Sequence, residues 1–262
     1  METSKRKLKG AIENQAALLE YLKDKGENHN YYKYYSTHNR IEQAIEECAL
    51  YLTRGDGWND LEDGLAFSTS RKGFTRFGKC FSFSRSENVA MWMLYGGTEH
   101  DGAMLDLTKG FAKKIIATET IQAGYFDDND KFKSVKSINV KDGCRLFFAD
   151  ILYVGEEQGK FTAKRSDERV DNLECPPSAE GLLTKAYPWS YENEVRLIFE
   201  APNDLIPAAV KCIRVSLECE SNALRNRAYS APNSKPGGYK PSKLNEKMNW
   251  DICRGCERVK QP

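Results

Sequence analysis

Glu192 and Glu194, two residues apart and followed at the same spacing by Arg196, are the side chains in this sequence best placed to do chemistry. They lie within residues 184–200, a stretch that also carries Trp189 and Tyr191 and runs into the apolar segment 195–199. Read as a strand beginning near Tyr191, it puts Glu192, Glu194 and Arg196 on one face, because alternate residues of an extended chain point the same way. Such a row is either an exposed ion-paired ladder on an edge strand, worth little to stability, or a site. In a site, one carboxylate stabilises developing positive charge while its neighbour moves a proton. The adjoining rings of Trp189 and Tyr191 favour the site.

Rigid elements must hold those groups. Helical periodicity runs over 2–25, where Leu8, Ile12, Ala16, Leu19 and Leu22 recur and Gly26 stops the pattern, and over 40–52, through Ile41, Ala44, Ile45, Cys48 and Leu52. Strands are expected at 30–35, 65–70, 80–84, 103–107, 145–154 and 208–217. In 80–84, Phe81 and Phe83 share one face, and Ser82 and Ser84 the other. A short helix over 87–95, capped at Ser86, brings Trp92 and Tyr95 to one face. Residues 127–130 read as a turn and 160–180 as a polar connection. The expected fold is an α+β domain with two small, mostly antiparallel sheets forming a cleft, flanked by helices.

Composition narrows the class. The chain has 262 residues, long enough for a substantial core, and its 39 basic and 38 acidic residues nearly cancel, so no global charge steers it to nucleic acid or membrane. No run approaches the roughly 18 apolar residues of a membrane span. The charged start has no apolar segment of a signal peptide behind it, so a cytoplasmic protein is expected. Eight scattered cysteines suit a reducing compartment. Cys253 and Cys256 form a lone Cys-x-x-Cys, a weak zinc signal. His29, His38 and His100 are not at ligand spacing, and no metal set is expected. The pattern divides into a helical extension (1–30), a core (31–220) and an irregular tail (221–262). Within 225–262, nine Lys or Arg face three Asp or Glu, as in a solvated extension or a nucleic-acid contact.

Several motifs occur in an order that resembles a bacterial family catalogued as domain of unknown function 2971. They are Tyr32-Lys33-Tyr34, Phe81-Ser82-Phe83-Ser84, Met91-Trp92 with Tyr95, His100 with Gly102, and Trp189 with the run from Tyr191 to Arg196. The resemblance covers roughly residues 31 to 200, the span of one domain. Where the family often has Asn-Asp-Pro-Phe, this chain has Ser-Arg-Lys-Gly-Phe at 70–74. The order is also similar to the layout of ADP-ribosyltransferases, which implies NAD as a substrate. Under that resemblance Glu194 stabilises an oxocarbenium-like transition state and Glu192 orients or deprotonates the acceptor. Tyr34 helps hold NAD, and Tyr95 or Trp92 stacks on the nicotinamide. Ser82 or Ser84 bonds the ribose or amide, and Lys33, Arg85 or Arg196 meets the pyrophosphate. The resemblance implies a transferase with a protein, RNA or DNA acceptor, or an NAD hydrolase, with a regulatory partner protein and a role as a toxin or defence effector. A non-enzymatic binding module and a nuclease are the alternatives.

Overall fold

Aromatic and β-branched runs broken by turns fold into many strands and few helices. The strands are β1 (Lys23–Asp24), β2 (Tyr31–Tyr35), β3 (Ala49–Thr53), β4 (Phe74–Phe83), β5 (Ala103–Leu107), β6 (Thr120–Phe126), β7 (Phe132–Asn139), β8 (Arg145–Asp150), β9 (Leu152–Glu157), β10 (Lys160–Arg165), β11 (Glu168–Asp171), β12 (Thr184–Ala186), β13 (Glu194–Pro202), β14 (Cys212–Ser216) and β15 (Ala228–Ser230). The helices are α1 (His38–Glu46), α2 (Val89–Tyr95), α3 (Lys109–Ile116) and α4 (Ser221–Arg225). This computed structural model describes residues 23–24, 31–35, 38–55, 73–83, 87–96, 102–157, 160–165, 168–171, 183–232 and 238–244.

Two sheets are present, as expected, but they are unequal. One has 11 strands in the order β1-β8-β13-β4-β3-β14-β6-β7, with β2, β5 and β15 branching from β4; the other has four, β11-β10-β9-β12. Among the described strands, pairing is antiparallel except for β12 beside β9. The result is α+β, mostly β and mostly antiparallel.

β13 sits between β4 and β8, so the apolar run 195–199 is central rather than on an edge. Val195, Leu197, Phe199 and Ala201 enter the main core with Phe77, Phe81 and Phe83 of β4. The opposite face, Glu194, Arg196, Ile198 and Glu200, is buried as well. An exposed ladder is therefore ruled out. Burial of its charges is offset by pairing: Glu200 takes Arg76 at 2.8 Å and Arg145 at 2.6 Å.

The branch at β4 opens the molecule. β4 pairs with β2 at Tyr31↔Phe83 and Tyr32↔Ser82, and with β3 at Thr53↔Gly78. Between these contacts β2 and β3 diverge, leaving a fork beside Lys79, Cys80 and Phe81.

Several expectations are corrected. The 40–52 helix is two elements: α1 ends at a turn where Cys48 adopts φ 44°, and β3 follows, pairing with β14. Residues 145–154 form two strands, β8 and β9. Within 160–180, β10 and β11 replace a structureless connection. Lys23–Asp24 pairs with β8 instead of extending a helix; residues 1–22 and 65–70 lie outside the described residues. The tail begins as folded structure: β15 pairs with β5, and Tyr239 and Ser242 are buried. Glu42 of α1 holds Arg225 at 2.6 Å and accepts from Tyr239. Buried Glu87 accepts from Trp92 Nε1 at 2.9 Å and from Lys243 N at 2.8 Å. The core thus extends to Leu244, past the expected boundary at 220.

Candidate active site

The carboxylates are brought together by a turn, not by strand alternation. Residues Tyr187–Glu192 form a 3-10 helix with Pro188 in its first turn, and Asn193, at φ 44° and ψ 54°, stops it in the left-handed conformation that Asn tolerates. β13 then begins at Glu194. Four hydrogen bonds fix this corner. Ser82 Oγ donates to the Glu192 carbonyl at 2.7 Å, and Asn88 Nδ2 to the Tyr191 carbonyl at 2.9 Å. Phe83 N donates to the Asn193 carbonyl at 2.7 Å, and Glu194 N to Tyr153 Oη at 2.6 Å.

Lys185, from β12 of the smaller sheet, bridges the two carboxylates. Its Nζ lies 2.8 Å from Glu192 Oε2 and 3.3 Å from Glu194 Oε2. Tyr95 Oη donates to the other oxygen of Glu192 at 2.5 Å. Arg196 Nε donates to Glu194 Oε1 at 2.6 Å, and its Nη2 reaches Oε2 at 3.3 Å.

These surroundings push the two acids apart. Burial dominates at Glu192 and raises its pKa, only partly countered by Lys185. At Glu194 burial also opposes ionisation, but Arg196 and Lys185 outweigh it and hold the group at about 2. The partners of Glu194 favour its anion, while burial makes Glu192 take up a proton more readily than an ordinary carboxyl. Acid and base roles separate in this way when two neighbouring carboxyls have unlike environments. Burial, with Glu192 adding to it, raises the Tyr95 phenol, which stays a donor.

The site faces a cavity of about 300 Å³. Lys33, Tyr34, Ser82, Tyr95, Glu192 and Glu194, all expected site residues, line it, together with Trp189 and Lys185. The aromatic wall and few polar groups are what a small-molecule site needs. Tyr34 is held by its hydroxyl, which accepts from Asn88 N at 3.0 Å. Asn88, not Ser86, caps α2, accepting from Ala90 N at 2.9 Å.

Other expected residues are placed differently. Trp92 is in the core behind Tyr34, edge-on to it at 5.0 Å, with its N–H committed to Glu87, so it does not reach the cavity to stack on a ligand. Arg196 is fully buried and orients Glu194, where a pyrophosphate contact had been expected. Ser82 borders the cavity, but its hydroxyl positions Glu192. Ser84, Arg85, Cys253 and Cys256 lie outside the described residues. Lys185, Tyr153 and Lys79 were missed. Lys185 sits inside the very stretch that draws attention, yet nothing in linear spacing marks it as the partner of both acids; Tyr153 and Lys79 arrive only through sheet packing.

No family model, curated protein or solved structure matches this chain.

Proposed function

We propose that this cleft cleaves the bond between nicotinamide and ribose in NAD, passing ADP-ribose to a protein, RNA or DNA acceptor or to water. The observation that carries the reading is the pair Glu192 and Glu194, held on one Lys185 with pKa values driven in opposite directions, on the wall of an aromatic-lined cavity.

Cleavage sends the bonding electron pair to the nicotinamide nitrogen, and nicotinamide leaves neutral, so no proton donor is needed. Positive charge grows on the ribose, where a preorganised anion lowers the barrier. Glu194, ionised over the whole working range, supplies that anion. Arg196 and Lys185 hold Glu194 as the anion while burial makes Glu192 the readier of the two to take up a proton, so proton transfer falls to Glu192. As the new bond forms to the ribose carbon, the attacking hydroxyl or amine gives its proton to Glu192, whose raised pKa makes it a stronger base than an ordinary carboxylate. Tyr95 and Lys185 aim its two oxygens. Tyr34, Tyr95 and Trp189 offer faces or edges to the nicotinamide ring.

The test is incubation of the full chain with NAD, alone and with protein, RNA and DNA acceptors, following nicotinamide release and acceptor labelling. Release or labelling is expected. If NAD stays intact under every condition, the reading gives way to that of a binding module.

A further inference from the structure

A second cavity, of about 380 Å³, opens in the fork between β2 and β3. It adjoins the first, sharing Lys33, Tyr34, Tyr51, Thr53 and Lys79 as a common wall, and reaches on to Arg40, Gln43 and Phe126. Its charge is one-sided. Lys33, Lys79 and Arg40 line it, and no carboxylate does among the described residues.

The cations are not neutralised by one another's neighbours. Lys79 Nζ donates to the Tyr51 carbonyl at 3.3 Å and lies 5.4 Å from the centre of the Tyr35 ring, a dipole and a π-face that carry no counter-charge. The Lys33 side chain makes no hydrogen bond or ion pair among the described residues; Cys80, Glu194 and Glu192 attract it only through space. Arg40 stacks 5.9 Å from the centre of Phe126 and meets Asp130 at 3.5 Å on an exposed turn outside the cavity. Burial pushes both lysines down; at Lys79, which falls to about 7, the charges of Lys33 and Arg40 add to the effect. Two half-buried ammonium groups facing one space are costly unless an anion joins them.

We propose that this second cavity is a phosphate site, in which Lys33, Lys79 and Arg40 hold the phosphate or diphosphate of an organic ligand. Lysine supplies compact charge and arginine a two-pronged donor, the combination that phosphate oxygens accept. The phosphates belong either to the nucleotide whose sugar lies at Glu192 and Glu194, spanning both cavities, or to a separate phosphorylated molecule. The site stands whether or not the carboxylates cleave NAD.

The probe is inorganic pyrophosphate, titrated calorimetrically into the full chain at low salt. Wild type binds; Lys79→Met and Arg40→Ala each weaken binding roughly tenfold or more, the loss of one charge-assisted contact, while Lys79→Arg retains most of it. Arg40 is half-exposed, so its substitution leaves the fold intact, and melting curves check the Lys79 variants. Facing Lys79 are Lys33 from β2, Arg40 from α1, Cys80 on its own strand, and Tyr35 and Tyr51. Bound phosphate favours the charged amine, so binding at pH 8 takes up protons, and affinity falls as pH rises through 7. Absence of pyrophosphate binding, or wild-type affinity in folded Lys79→Met, overturns the proposal. Competition between NAD and pyrophosphate assigns the phosphates to one nucleotide, whereas simultaneous binding assigns them to a second ligand. Pyrophosphate binding without NAD cleavage removes the proposed reaction and leaves this site in place.

Discussion

Glu192 and Glu194 are a pair in which chemistry and stability divide between neighbours. Glu194 is locked to fully buried Arg196, and removing one partner of such a pair leaves an unpaired buried charge. Glu194→Gln is therefore expected to cost about 3–5 kcal/mol of stability, measurable by urea unfolding. Its pH dependence has a definite sign. A carboxyl held at about 2 against an ordinary 4.5 contributes stability that is present above 4.5 and lost as pH falls toward 2. Wild type should lose that increment across this window, and Glu194→Gln should not. Glu192 behaves oppositely: burial raises its pKa, so kcat/KM for NAD should climb with pH along a limb placed above the ordinary 4.5, and Glu192→Gln should erase that limb. That the two acids meet at one place was legible in the sequence, since they stand two residues apart beside two rings. Their division of roles was not, because Lys185 is set by the packing of β12 against the site.

At the scale of elements, the corner between the 3-10 helix Tyr187–Glu192 and β13 decides whether the two acids meet one lysine. Asn193 there is left-handed, a conformation that costs a β-branched residue about 1–2 kcal/mol. Asn193→Val should lower the melting temperature and slow turnover together, while Asn193→Gly should preserve most of both; differential melting and NAD consumption check the pair. Linear pattern misplaced this corner because Tyr191, Asn193 and Val195 alternate with the acids as a strand would, and only the tertiary hydrogen bonds from Ser82, Asn88, Phe83 and Tyr153 fold it. The region 40–52 failed for a related reason. Ile41, Ala44 and Ile45 are helical in spacing, but Cys48 and Leu52 fit the same period although Leu52 serves β3, so a left-handed Cys48 had no visible signature. By contrast, the aromatic β2 and the apolar β5 were legible, since each is bounded by polar residues and has one strongly preferred form.

For the molecule as a whole, the larger sheet, its fork at β4 and the smaller sheet carrying Lys185 together enclose the cleft. The C-terminal segment is tied to the body of the fold: Arg225 and Arg227 are paired with Glu42 and Asp106, and Lys243 lies 5.2 Å from the Tyr229 ring. A basic composition suggested a solvated arm, but half of it is structural, a distinction that charge counts cannot make. Deleting 221–262 should abolish cooperative unfolding, whereas deleting 245–262 leaves every described contact and should preserve it; circular dichroism during thermal melting separates the two. The proposed reaction at this cleft is cleavage of the nicotinamide–ribose bond. Single-turnover release of nicotinamide from NAD, compared between wild type and folded Glu192→Gln, tests it most directly. The account predicts release by wild type and a loss on the order of 100- to 1000-fold in the variant, the usual effect of removing one group that acts on the transition state. Equal rates in the two proteins, or no release by wild type, would contradict it.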